Sequence, residues 1–283
     1  MKKLVLLGLI LCLSPGCKEK SVTVPAAQSA QKHSTQAVGA RQAAHKKAGR
    51  GAAEPAGAIA SSSITSPKDP GAIIAAAVKR RGGLAALQGI KSARATHVVT
   101  GAGGGTGRVT LQFPNRMLVE VLSEGKVTGA TIVDGDRGHQ LAPKKKVKQL
   151  DARTLSDFQR SLQCDPVQAL VNASKAGARL TYKGETKVGD RPVDEVQVMS
   201  GDHPVHLFVA RDDGELLAYR HLTRSGQVTV MHSDFKEIGG TRMAHTNTIL
   251  VGAERVVSKV TSLELNLKLS AGTFDPKQYR FTD

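Results

Sequence analysis

Large aromatic side chains are scarce in this chain: 283 residues hold no tryptophan, three tyrosines and six phenylalanines. Any core must be filled by aliphatic residues, which occupy less space per position. Cysteine is nearly as rare, at three. The apolar run at residues 4–13 is too short to cross a bilayer as a stable helix. Catalytic and nucleotide-binding signatures are missing too. The glycine-rich stretch 101–107 has neither dinucleotide-binding spacing nor the lysine of a P-loop, and a strand pattern follows it, so it reads as a hairpin loop. No serine sits in a nucleophile elbow. His203 and His206, three apart on a strand, point to opposite faces and cannot chelate one metal. Asp134 with Asp136 and Asp212 with Asp213 fall in turns, where carboxylates bond nearby backbone. The chain is expected not to be an enzyme and to need no cofactor or metal.

What is present begins at Met1. Lys2 and Lys3 form a positive start, the apolar run follows, and Ser14-Pro15-Gly16-Cys17 closes it, as in a processed export signal. Leu13-Ser14-Pro15-Gly16-Cys17 resembles the lipobox of bacterial lipoproteins. That resemblance implies cleavage after residue 16, a signal peptide over 1–16, and diacylglycerol on the Cys17 thiol. A plain secretory signal with an incidental cysteine is the alternative. Lys18 follows the cysteine where an aspartate would favour inner-membrane retention. By the resemblance to bacterial lipoproteins, the expected place is the cell envelope, at the outer membrane and facing the periplasm. With Cys12 removed and Cys17 lipidated, only Cys164 remains and no intramolecular disulfide can form. Lying between Leu162 and Asp165-Pro166, Cys164 reads as buried rather than reactive.

Residues 18–68 contain no leucine, phenylalanine or tyrosine and are dominated by small and polar types. Such a segment cannot bury enough apolar surface to fold. Residues 17–68 are thus expected to be a tether, about 40 Å across as a coil and roughly 170 Å if pulled straight. Eight Lys/Arg against two Asp/Glu make residues 18–68 basic, and the rest of the formal +16 is spread along the chain. No zinc-finger spacing, helix-turn-helix pattern or aromatic RNA-binding motif accompanies that charge, so nucleic acid is not an expected partner. Anionic headgroups or cell-wall polymers beside a basic tether suffice. The densest basic patch further on, Lys144 to Lys146 with Lys148, reads as a solvated hairpin tip.

From residue 69 the texture becomes that of a folded domain. Asp69-Pro70 supplies an N-cap and a first-turn proline, Ile73, Ile74, Ala77 and Val78 form one apolar stripe, and Gly82-Gly83 stops the helix; Leu84, Leu87 and Ile90 continue as a short second turn. The period then becomes two: Val109, Leu111 and Phe113, next Met117, Val119 and Val121, then runs at 127–133, 180–188, 193–199, 205–209, 216–222, 228–235, 243–250 and 256–267. Asp134-Gly135, Gly189-Asp190, Asp213-Gly214, Ser225-Gly226 and Gly239-Gly240 punctuate them as hairpin turns. One interruption, at 151–177, carries Leu155, Phe158 and Leu162 on one helix face and Val167, Leu170 and Val171 on another. The pattern predicts ten or eleven antiparallel strands in a meander, curled and covered by a leading helix and an inserted helical pair.

Three stretches carry a resemblance. Arg81-Gly82-Gly83-Leu84-Ala85-Ala86-Leu87-Gln88-Gly89-Ile90-Lys91-Ser92, Phe113-Pro114-Asn115-Arg116-Met117 and the late hairpin from Phe235-Lys236-Glu237-Ile238 through Gly239-Gly240-Thr241-Arg242-Met243 resemble envelope proteins related to the lipoprotein carriers LolA and LolB. The closing Phe274-Asp275-Pro276 is similar as well. For residues 69–283 the resemblance implies a mainly β fold with α, an unclosed antiparallel β-barrel capped by helices, whose concave apolar face holds acyl chains in the carriers. The absence of tryptophan and the long basic tether depart from that pattern. A curled sheet this poor in rings is expected to leave a cleft under its helices, lined by Val109, Leu111, Met117, Val119, Val121, Val205, Leu207 and Val209 from strands and Leu155, Phe158 and Leu170 from helices. The function expected is binding of a lipid, acyl chain or lipoprotein by a domain anchored to the membrane through a lipid. A non-catalytic sensing or protein-interaction module of the envelope is the alternative.

Overall fold

The computed structural model describes residues 68–101, 104–223 and 226–281. Residues 1–67, on which the expected signal peptide, Cys17 and nearly all of the expected tether fall, lie outside the described residues.

Helix α1 (Pro70–Arg80) starts where Asp69 accepts a hydrogen bond from the Gly71 amide at 2.8 Å, with Pro70 in its first turn. It buries Ile74, Ala77 and Val78 and ends on Lys79 and Arg80, cations that suit a helix C-terminus. Gly82 and Gly83, at φ of 107° and 92°, turn the chain into the short α2 (Leu84–Gly89), which buries Leu87. Positive φ is one reason for glycine at 82. The other is space, because a Cβ there would run into the carbonyl of Gly240.

Six strands follow: β1 (Ser92–Thr100), β2 (Gly105–Gln112), β3 (Arg116–Ser123), β4 (Lys126–Asp134), β5 (Arg137–Leu141) and the two-residue β6 (Lys148–Gln149). The helical pair α3 (Ala152–Gln163) and α4 (Pro166–Ala173) comes next, each N-capped by an aspartate, Asp151 and Asp165. Seven strands complete the series: β7 (Leu180–Val188), β8 (Arg191–Ser200), β9 (His203–Ala210), β10 (Leu216–Thr223), β11 (Gly226–Ile238), β12 (Thr241–Val251) and β13 (Glu254–Leu265).

All thirteen strands form one unclosed antiparallel sheet, in the order β6-β5-β4-β3-β2-β1-β13-β12-β11-β10-β9-β8-β7. The mainly β fold with capping helices is therefore the one expected, with more strands. The extra strands, β1, β5 and β6, lack the large alternating side chains that mark a strand in sequence: β1 opens Ser-Ala-Arg-Ala-Thr and β5 reads Arg-Gly-His-Gln-Leu. The meander is also two meanders. The chain starts at the centre, walks to the β6 edge, crosses through α3 and α4 to the β7 edge and walks back, so that β13 pairs with β1 from Ala93–Leu265 to Thr100–Val257.

The crossover helices are held to the inner face on both flanks. Helices α1, α2 and α4 pack Ile74, Leu87, Val167 and Leu170 against Val196, Val198, Val205, Leu207 and Val209 of β8 and β9. Helix α3 packs Phe158 and Leu162 against Val109, Met117, Val119 and Val133 of β2–β4. On the outer face, the C-terminal segment seats Phe274, with Leu269, Tyr279 and Phe281, over Leu118, Ala130, Ile132 and Leu141. The Tyr279 hydroxyl donates to Glu120 Oε1 at 2.8 Å, and Arg108 Nε reaches Glu120 Oε2 at 2.6 Å. Cys164 is buried at the end of α3, and burial pushes its thiol up to about 12, leaving it protonated and unreactive.

Candidate functional site: an apolar cavity under the centre of the sheet

Between the two packed flanks, the middle strands β1, β11, β12 and β13 face helices too far off to touch most of them. A cavity of about 230 Å³ remains there. Its floor comes from Ala93, Ala95 and His97 of β1, Val228, Val230 and His232 of β11, Met243, Asn247 and Ile249 of β12, and Ser258, Val260, Leu263 and Leu265 of β13. Val109 and Leu111 of β2 with Tyr219 and His221 of β10 form its side walls, and Arg81, Ile90, Asp165, Pro166 and Val167 close it from the helical side.

The inward face of each strand is set by period two, and two of these strands change phase. In β13 an extra residue, Thr261, is inserted where Thr96 pairs with Ser262 and His97 with Val260. Ser258 and Val260 therefore share the inner face with Leu263 and Leu265. In β10, Leu217 is the extra residue, between Leu216 opposite Val209 and Ala218 opposite Phe208, so Leu216 packs inward and Tyr219 and His221 continue inward.

The wall is mostly aliphatic but carries a band of polar groups. His97 Nδ1 lies 3.1 Å from Ser258 Oγ, and His232 Nδ1 lies 2.8 Å from Asn247 Oδ1, where it donates. Tyr219 stacks on both His221 and His232, with ring centroids 5.8 and 5.5 Å apart. Burial holds all three imidazoles neutral, His97 and His221 down to about 4 and His232 down to about 3, with Arg160 adding to the shift at His221 and Arg81 at His232. Arg81 is 1% exposed. Its Nε and Nη2, like His221 Nδ1 and His232 Nε2, have no hydrogen-bond partner.

Of the residues singled out in the sequence, Val109 and Leu111 line this cavity. Met117, Val119 and Phe158, with Leu155 beside them, form the packed cluster under α3, and Val205, Leu207, Val209 and Leu170 the cluster under α1 and α4. Val121 is half-buried in β3. Cys17 lies outside the described residues. His206 Nδ1 stands 2.6 Å from Glu195 Oε1, and among the described residues no group of three or more His, Cys, Asp or Glu is placed to hold a metal. Lys144 to Lys146 and Lys148 are exposed around the β5–β6 connection. Sequence reasoning passed over the β1 and β11–β13 positions because small residues such as Ala93, Ala95 and Ser258 and polar ones such as His97, His232 and Asn247 do not look like a cleft. Their signal was smallness and polarity where a strand facing the interior ordinarily carries bulk.

No family model and no curated protein matches this chain. Solved structures do. A LolA superfamily protein from Nitrosomonas europaea superposes at a TM-score of 0.50 with 12% identity, covering 75% of this chain and 100% of the other. A DUF1329 family protein from Desulfovibrio piger superposes at 0.51 with 12% identity, covering 74% of this chain and 99% of the other. The chain thus shares its fold with these two structures; at such identities the likeness is one of fold alone.

Proposed function

We propose that this domain binds the acyl portion of a lipid or of a lipoprotein in the central cavity, and that it does so as an envelope lipoprotein with a carrier-like role. The observation that supports this reading is the cavity itself. A packed interior leaves few voids larger than a water molecule, whereas this one keeps about 230 Å³ between an aliphatic floor and the helices. Apolar volume of this kind, with a few placed polar groups, suits an apolar ligand. The fold it shares with a LolA superfamily protein supports the same reading. In this proposal the domain from residue 69 hangs on the 17–68 tether, Cys17 carries the lipid, and the outer membrane is the place of attachment.

Binding is tested with a neutral environment-sensitive dye, N-phenyl-1-naphthylamine, whose fluorescence rises in apolar surroundings. Saturable binding by the wild type and its loss in Ala95→Phe are expected, since a ring at half-buried Ala95 fills the cavity without removing a core side chain. No saturable binding by the intact domain would overturn the proposal. Anchoring is tested by feeding labelled palmitate: the wild type is expected to take up label and Cys17→Ser to take up none, and label in the variant would remove the anchor.

A further inference from the structure

Arg81 is the most costly residue in the cavity wall. It closes α1, where its amide donates to the Ala77 and Val78 carbonyls at 3.1 and 3.2 Å and its own carbonyl accepts from the Arg242 amide at 3.3 Å. That backbone arrangement fixes the Cα, and the side chain turns inward, not out to water. At 1% exposure it is the largest fully buried side chain among the described residues, and Nε and Nη2 go without a partner. A buried guanidinium with unmade hydrogen bonds is a large penalty, and a simple core position would be filled by leucine or methionine.

The neighbouring carboxylates do not satisfy it. Glu215 lies close enough to favour the Arg81 charge, but its Oε2 accepts from Arg242 Nε at 2.6 Å and Arg80 Nε at 3.3 Å, and its Oε1 is unbonded. Asp165 spends Oδ1 on the Val167 and Gln168 amides at 2.9 and 3.4 Å. Asp213 and Glu237 pair with Arg80 and Arg242 nearer the surface, at 3.3 and 3.7 Å. Arg80 and Arg242 thus occupy Oε2 of buried Glu215, and Arg81, which lines the cavity, keeps Nε and Nη2 without a partner. The Phe235 ring, 5.9 Å from Arg81 and 5.3 Å from Arg242, occupies the space between without accepting a conventional hydrogen bond.

We propose that Arg81 is the anion-recognition point of the cavity, and that its ligand is an anionic amphiphile: an apolar chain on the strand floor ending in a carboxylate or phosphate monoester bonded to the free Nε and Nη2. The inference rests on the acyl-binding reading and narrows it to a head group. Two N–H groups of one guanidinium match two oxygens of a carboxylate or phosphate in a bidentate pair. A neutral ester or alcohol fills the same floor but offers no anionic pair of oxygens to the two unbonded N–H groups.

The test displaces N-phenyl-1-naphthylamine from the full-length protein at pH 8 with ligands of one chain length and different heads: hexadecanoic acid, hexadecyl phosphate, hexadecanol and methyl hexadecanoate. In the wild type the acid or the phosphate should displace the dye at concentrations about tenfold below the two neutral ligands, the discrimination of one charge-assisted pair. Whichever anion is stronger identifies the head. In Arg81→Met the four should fall within about twofold of one another, while the unliganded melting temperature holds or rises, because an unpaired buried charge has been removed; a purely structural Arg81 would instead lower it. Arg81→Lys serves if the methionine variant does not fold, and should keep the preference for anions but weaken it. Equal displacement by all four ligands in the wild type overturns the anion site and leaves the acyl cavity standing. Failure of the dye and of every ligand to bind overturns both.

Discussion

The flanks of this sheet and its centre are built from the same period-two strands and are packed differently. On the flanks, β8 and β9 offer Val196, Val198, Val205 and Leu207, all essentially inaccessible, to helices that match them with Ile74, Leu87 and Leu170. At the centre, β1 offers alanines and a histidine, β13 a serine and β12 an asparagine, and the helices supply Arg81 and the first turn of α4. The helices cross from one edge of the sheet to the other, so they lie on the flanks and bridge over the middle. Space is left where the sequence places small and polar residues and where the connection between edges passes overhead. A poor supply of rings makes that space harder to fill, and the cavity follows from topology and side-chain size together.

The contrast can be broken most severely by acid. His97, His221 and His232 are neutral in the folded cavity, with values of about 4, 4 and 3, against an unfolded value near 6.5. Because their folded values are depressed, the unfolded chain binds more protons between about pH 6.5 and pH 4, so stability is full above that window and falls as the pH drops through it. The loss across the window should be on the order of 5 kcal/mol, measured by urea unfolding at pH 7.5 and 4.5. Replacing His232 by glutamine should flatten part of the slope; an unchanged profile in that variant would show that the centre is not where the protons go.

Leu207→Ala tests the packed flank, where the side chain is fully buried and touches both sheet and helix, and it should cost about 3 kcal/mol in urea unfolding. Gly82→Ala tests the staple between the lid helices and the β11–β12 turn. The added Cβ meets the Gly240 carbonyl at a positive φ, and the loss should be about 2 kcal/mol, with dye binding altered as the α1–α2 corner shifts. Ile249→Ala is the counterpart on the cavity wall. Its side chain is buried beside Val228 and Val230 but borders the cavity on its other side, so truncation should cost less than at Leu207, about 2 kcal/mol, while enlarging the cavity. If Ile249→Ala proves as damaging as Leu207→Ala, the centre is packed like the flanks and the contrast fails.

Much of this was legible in the residues alone. Asp69-Pro70 and Asp165-Pro166 start helices, Gly82-Gly83 ends one, and the alternating runs from Val109 onward are strands, because caps, turn residues and period two are local physics carried in a few consecutive side chains. Period two alone left open which alternate set of the 117–121 and 205–209 runs faces inward, because a shift of one residue reverses the face; the packing against the helices turns Met117, Val119, Val205 and Leu207 inward. The pairing of β1 with β13 was not legible, since neither strand's composition says which distant edge completes its hydrogen bonds. Nor were the inserted residues Leu217 and Thr261, which reset the phase of β10 and β13 with no chemical mark of their own. Arg81 looks in sequence like one more cation at a helix end. Only the tertiary structure turns it into the cavity, because the backbone contact between Gly82 and Gly240 fixes where that helix ends, and the sheet below leaves room for the side chain to point nowhere else.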